Sequence, residues 1–452
     1  MSSLLIEELP YSIDSSHLFS RFLDWELPVY LDSTASCSSR GRYDIFSAQP
    51  VHKVQNDNIF SLNTNSYNPN ANYFQDVRTA IEEFTPTIEN DFHLPFTGGA
   101  IGYFGYDLGH QLEKFKTKSL KDIDAPTAVV GIYSWAVIVD HRQKRSLLAC
   151  HPLANKELVR EVRTKLLEQP ALKVHIENFR LQAKFQSNLS YEQYSNAFEK
   201  IQNYIQAGDC YQVNLAQRFS ADFEGDPWQA YQALRTVAAA PFSAYLGNGK
   251  NAILSLSPER FIQSKYQRVS TAPIKGTIGR GTTRKEDELL AKKLLNSAKD
   301  RAENLMIVDL LRNDLGKNCL PGSIQVDDLF ELQSFETVHH LVSTISGQLM
   351  PDIDSLTLLA NCFPGGSITG APKIRAMEII EELEPNRRSA YCGSIGYISC
   401  DGQMDTNIAI RSLVCENNKI YCWAGGGIVA DSTCEAEYQE CFTKVEKLLA
   451  AL

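Results

Sequence analysis

Ser243-Ala244-Tyr245-Leu246 is followed by Ala252-Ile253-Leu254-Ser255-Leu256, and then by Arg260 and FIQSKYQRVS up to Ser270. Three strand-like runs stand end to end in Ser243–Ser270, with no helical periodicity between them. Similar runs occupy 210–220, 393–400, 408–414 and 419–424, around helical patterns at 191–208, 287–315, 372–383 and 432–451. Strands that follow one another directly, instead of alternating with helices, argue for antiparallel α+β architecture over a doubly wound parallel sheet. The expected fold is two facing antiparallel β-sheets with helices on the outside, as one large intertwined unit.

The N-terminal half adds to this. Residues 1–165 read as a β-rich subdomain of short strands and polar loops, and 190–452 as the C-terminal unit. Val129–Asp140 alternates as one strand, and Gly98–Asp107 reads as tight strand–turn geometry that lacks the dinucleotide spacing. Lys156–Glu168 reads as a polar helix bridging the halves, and Asn56–Asn72 as an Asn- and Ser-rich loop.

The chain has 452 residues, 43% hydrophobic and 22% charged, the profile of a globular protein with a real core. A net charge of −10 argues against a broad nucleic-acid or anionic-membrane surface. An anionic ligand would need local positive charge or a metal ion. The 11 cysteines, Cys37 to Cys441, are scattered singly without zinc spacing, and read as small buried residues of a reducing compartment. The start, MSSLLIEE, is acidic where a signal peptide would be basic, and no run approaches a membrane span, so a cytoplasmic location is expected.

Lys275 stands alone among apolar and small residues in Thr271-Ala272-Pro273-Ile274-Lys275-Gly276-Thr277. Proline before it and Gly276 after it aim the side chain, and burial would lower its pKa towards a usable amine nucleophile. A solvated lysine at a strand end is the plainer reading. Asp300 and Glu303 lie three apart on one helix, Glu437 and Glu440 three apart on another, and together they could bind one Mg²⁺. The same residues fit local roles, since Ser297-x-x-Asp300 is a capping pattern and Glu440–Lys444 a favoured ion pair.

Gly365–Lys373, GGSITGAPK, runs into a helix, and its amides around Thr369 and Gly370 could meet a carboxylate. Gly425-Gly426-Gly427 follows a strand and either exposes amides or makes a tight turn. Arg411 and Lys444 are candidate carboxylate clamps or surface charges. Of His339 and His340, an alternating strand would bury one. Glu259 is a candidate acid or the partner of its neighbour Arg260.

Together, SLSPERF, PIKGT, SAKDRAENLMIVDLLRND, VHHLVS, FPGGSITGAPK, CGSIGY and GGGIVADS, in that order, resemble the chorismate-utilising enzyme family. Its members include anthranilate synthase large subunits, isochorismate synthases and salicylate synthases. The likeness is high over about 190–450 and looser towards the N-terminus. PIKGT, APFSAYL and CYQVNLAQRF resemble those members that make 4-amino-4-deoxychorismate, whereas anthranilate synthases are expected to carry alanine in place of Lys275.

The resemblance implies an anthranilate synthase component I-like fold and a transferase acting on chorismate. Mg²⁺ would hold the ring carboxylate through Glu303 and Glu440, with Asp300 and Glu437 beside them. Tyr397, Arg411, Lys444 and the amides of Gly425–Gly427 would meet the second carboxylate. Lys275 would attack the ring and Glu259 would protonate the leaving hydroxyl. Gln212 stands where isochorismate synthases resemble one another in having a lysine base, and His340 matches a family histidine tied to aromatisation. With no glutaminase cysteine context visible, ammonia would come from a glutamine amidotransferase subunit. Leu31-Asp32-Ser33, Arg42-Tyr43-Asp44 and Pro241-Phe242-Ser243 resemble the pocket in which anthranilate synthases bind tryptophan, with ordinary packing between sheets as the other reading.

Overall fold

The structure, a computed structural model, describes residues 4–34, 41–56, 72–113, 117–167, 178–249, 251–335 and 338–452. Cys37, Glu168 and nearly all of the Asn56–Asn72 loop lie outside them. Among the described residues, thirteen strands form one sheet and ten form a second.

Each sheet is continuous across the two halves of the chain. In the larger one, Val29–Asp32 pairs antiparallel with Phe242–Asn248, setting Ser243 opposite Asp32. In the smaller, Gly99–Phe104 pairs with Ser394–Ser399, setting Gly396 opposite Gly102. The alternation of Trp135–Asp140 shows how the layers separate. Ala136 and Ile138 join the core shared with the smaller sheet, while Trp135, Val137 and Val139 join a second core. The helices Tyr191–Gln206, Pro227–Val237, Lys373–Leu383 and Cys434–Ala450 feed that second core from outside. The expected α+β architecture is present.

Four local expectations need correction. Val129–Asp140 is two strands, Ala128–Tyr133 in the smaller sheet and Trp135–Asp140 in the larger, so the chain changes sheet at Ser134. The run 260–270 is a hairpin, Arg260–Lys265 and Arg268–Ala272, turning at Tyr266 and Gln267 with φ of 49° and 64°. The pattern 287–315 is two helices, Arg284–Leu295 and Ala298–Gly316, because Ser297 starts a new one by accepting from the Asp300 amide at 3.3 Å. The second helix buries Asn304, Ile307, Val308 and Leu311 and leaves Leu305 exposed. Finally, helix Lys156–Leu167 docks within its own half, through Arg163–Glu7 and Lys165–Asp24.

Of the cysteines described, nine are buried, Cys434 is half-buried, and all are free thiols.

Candidate active site

Strand Ile274–Gly279 carries Lys275 to the smaller sheet's edge, under the first turns of helix Ala298–Gly316. Its Nζ lies 3.3 Å from Glu303 Oε1 and donates to the Ser367 carbonyl at 3.1 Å. Gly276 turns the backbone with φ +85°, and a Cβ there would lie 3.0 Å from the Asp300 Cβ, so only glycine lets the strand pass this close. Lysine and carboxylates are thus brought together, but not as expected electrically. Burial pulls the Lys275 pKa down, yet Glu303, Glu259 and Glu440 more than reverse it, so the ammonium is held above its ordinary value. Before substrate arrives this is a protonated lysine in an acidic nest.

Glu259 is buried, and its Oε1 accepts from the Ser367 hydroxyl at 2.8 Å. Its neighbour Arg260 turns away to a bidentate pair with Asp405, both bonds 2.9 Å. Ser367 therefore touches the lysine through its carbonyl and the glutamate through its hydroxyl. Sequence reading missed this residue; nothing but its place in GGSITG pointed to it. The loop expected to offer amides to an anion is itself fixed by hydrogen bonds and strand pairing. Thr369 Oγ1 donates to Gly365 O, Thr369 O accepts from Asn214 N, and Gly370 pairs with Val213. Pro372 caps the helix that follows, and Lys373 turns inward to Asp314 at 2.7 Å.

Gly425–Gly427 lie within strand Lys419–Ile428, not in a turn, and pair with Ala216, Leu215 and Asn214. On the strand's other edge the pairing with Ser412–Glu416 ends at Leu413–Cys422, leaving the glycine stretch without a neighbouring strand there among the described residues. Arg411 stands where the two strands part, with φ +51°. Burial alone lowers its pKa, and no hydrogen bond or ion pair from a described residue reaches its guanidinium. A half-buried cation beside backbone groups that lack a neighbouring strand has the chemistry to meet a carboxylate. Lys444 completes this corner, 2.7 Å from both Gly425 O and Glu440 Oε1.

A Cβ on Gly426 would lie 2.7 Å from Glu437 Oε2 and 3.4 Å from Glu440 Oε1, so both carboxylates press on that point of the strand. Burial and the Glu440 charge raise the Glu437 pKa against the Ser432 hydroxyl, which donates to Glu437 at 2.7 Å. Burial likewise acts to raise Glu440, but Lys444, Lys275 and Lys299 bring it below its ordinary value. Crowded carboxylate oxygens are relieved by a hard divalent cation, so this donor set fits Mg²⁺. The four carboxylates do not meet at one point, since Glu303 is held by Lys275 and, at 3.5 Å, by Gln212 Nε2. Gln212 crosses so close to Gly427 that a Cβ there would lie 1.9 Å from its Nε2.

Both histidines are buried, against the expectation of one. Strand Val338–Gln348 is covered on both faces: His339 bonds Asp287 at 2.9 Å, and His340 Nδ1 meets Thr277 Oγ1 at 2.8 Å, two residues from Lys275. Tyr397 is not at this site. It lines a separate cavity of about 380 Å³ together with Leu31, Ser33, Tyr43, Pro241, Phe242 and Ser243, all six residues of the expected tryptophan pocket. The tyrosine brought to the glycine strand is Tyr391, stacked on Trp423 with ring centroids 6.1 Å apart. Asp44 is not free to serve a ligand's ammonium, being held by Ser33, Ser15 and His141.

Residues 29–450 match the model of the chorismate binding enzyme family, and the chain belongs to that family. It is 47% identical over 439 residues to aminodeoxychorismate synthase component 1 of Escherichia coli K12, covering 96% of this chain and 95% of that one. It is 39% identical to anthranilate synthase component 1 of Thermus thermophilus, covering 79% and 78%. Among solved structures, anthranilate synthase component I from Streptococcus pneumoniae TIGR4 superposes with a TM-score of 0.79 at 31% identity, over 91% and 93% of the two chains.

Proposed function

We propose that this chain converts chorismate and ammonia to 4-amino-4-deoxychorismate, on the way to 4-aminobenzoate and folate, with the ammonia supplied by a separate glutamine amidotransferase subunit. The observation that carries the reading is Lys275, held by Glu303 and by the same Ser367 that holds Glu259. The relatives named aminodeoxychorismate synthase component 1 support the same choice. Mg²⁺, held by Glu303 and Glu440 with Asp300 and Glu437 beside them, would supply charge for the ring carboxylate. Arg411, Lys444 and the open edge of Gly425–Gly427 take the other carboxylate.

Glu259 takes a proton from the Lys275 ammonium, and the freed amine attacks C2 of the ring, forming a C–N bond. The double bonds shift, the C4–O bond breaks, and Glu259 gives its proton so that the hydroxyl leaves as water. Ammonia then adds at C4, the double bonds shift back, and the C2–N bond to Lys275 breaks. Gln212, a neutral amide, does not act as a base for water at C2.

Chorismate, Mg²⁺ and ammonium with the purified chain should yield aminodeoxychorismate, and rapid quenching should leave a mass adduct on the Lys275 peptide. Lys275→Ala should remove the adduct and nearly all turnover while keeping the fold. Anthranilate as the product would assign the other family activity, and full turnover in Lys275→Ala would remove the lysine from the chemistry.

A second reading concerns the separate cavity. Its apolar walls Leu31, Pro241 and Phe242 suit an indole ring, and it joins segments far apart in sequence. We take it as a tryptophan site. Millimolar tryptophan should raise the melting temperature of refolded, ligand-stripped protein by mass action. An unchanged midpoint, with no indole in the purified protein, would leave plain packing.

A further inference from the structure

Away from Lys275, three buried side chains converge where the N-terminal half meets helix Lys373–Leu383. Asp107 lies in the helical turn Tyr106–Leu108, His110 in the turn Gly109–Leu112 that follows, and Glu381 on the helix. One ligand atom from each lies within 4.8 Å of the other two, and His110 Nε2 is 3.1 Å from Glu381 Oε1. All three are at most 5% exposed. Asp107 Oδ2 accepts from the Ser389 amide at 3.1 Å, but its Oδ1 is buried with no hydrogen-bond partner. Leaving a buried carboxylate oxygen unmatched costs free energy that a ligand would recover.

We propose that Asp107, His110 and Glu381 form a zinc site that ties the N-terminal half to helix Lys373–Leu383. Imidazole nitrogen and carboxylate oxygen are both ligand types that zinc takes at short distance. Zinc ligands at about 2.0–2.2 Å put tetrahedral donor atoms roughly 3.3–3.5 Å apart, so the observed separations need only small side-chain movements. A cavity of about 10 Å³ adjoins Asp107, lined also by Lys121, Thr127, Arg387 and Ser389, with room for about one water beside that carboxylate. The Ser119 hydroxyl meets both Glu381 oxygens, at 3.0 and 2.9 Å, and fixes the carboxylate beside His110. Without metal, His110 Nε2 rests 3.1 Å from Glu381 Oε1 and Asp107 keeps its unmatched oxygen. The helix begins just after the loop that carries Ser367, so a pinned helix steadies the loop against which Lys275 and Glu259 rest.

The test is metal analysis of the full chain, stripped with chelator and dialysed against zinc. Expected are about one zinc per chain, a rise of a few degrees in melting temperature, and visible absorption typical of tetrahedral cobalt when Co²⁺ replaces zinc. His110→Gln and Asp107→Asn should each lose the zinc, whereas Glu440→Gln, at the Lys275 site, should keep it. Should either variant fold poorly, the cobalt spectrum of the wild-type chain decides alone. Less than a tenth of an equivalent of zinc, with no cobalt spectrum, overturns the proposal and leaves a plain polar contact. Zinc that is lost in Glu440→Gln and kept in His110→Gln overturns it too.

Discussion

Arg411 is the residue whose environment is least explained by folding. It is half-buried with its charge disfavoured by burial, bent into the left-handed region and unmatched by any carboxylate of a described residue, all of which cost stability. Such a cost persists where a ligand repays it. Arg411→Met should therefore leave the melting temperature unchanged or higher while raising the KM for chorismate roughly 10- to 100-fold, the loss of one charged contact. Paired melting curves and steady-state kinetics check both halves, and a large loss of stability would assign Arg411 to the fold. Lys275 teaches the converse point. Its isolation in the sequence suggested a depressed pKa, but three glutamates from distant segments set the opposite direction.

At the scale of elements, charged joints hold the strands and loops around the second cavity. His141, just past strand Trp135–Asp140, lies 2.8 Å from Asp44 on strand Tyr43–Ser47, and Asp44 accepts from Ser15 at 2.7 Å. Burial acts to lower the His141 pKa, but Asp44 raises it above its ordinary 6.5. A raised histidine contributes stability that is fully present below its unfolded value and lost as pH rises through its folded value. The melting temperature of the wild-type chain should thus exceed that of His141→Gln by on the order of 2 °C near pH 6, with the gap closing as pH climbs. Asp44 is shifted down, so its own share disappears only as pH falls below 3.8. A gap that widens with pH would contradict the pairing.

For the whole molecule, the sheets decide what can be separated. Cutting away the N-terminal half strips Val29–Asp32 from Phe242–Asn248 and Gly99–Phe104 from Ser394–Ser399, exposing a strand edge in each sheet. A 190–452 fragment should be insoluble or inactive, while proteolysis of the full chain should nick loops without releasing a stable half. A soluble, fully active fragment would show that the sheets are divisible.

The sequence alone determined what depends on near neighbours. Strand runs set end to end gave the antiparallel class, three-residue spacing placed Asp300 with Glu303 and Glu437 with Glu440, and the Pro-x-Lys-Gly pattern singled out Lys275. Such signals are local because side-chain direction repeats every two residues in a strand and about every 3.6 in a helix. Tertiary structure alone decided that the chain changes sheet at Ser134, that both His339 and His340 are covered, and that Tyr391 rather than Tyr397 reaches the glycine strand. It also brought Ser367 between Lys275 and Glu259 and raised the lysine's pKa. Each of these depends on pairing or Coulomb interaction between groups tens to hundreds of residues apart, and such contacts leave no periodic mark along the chain.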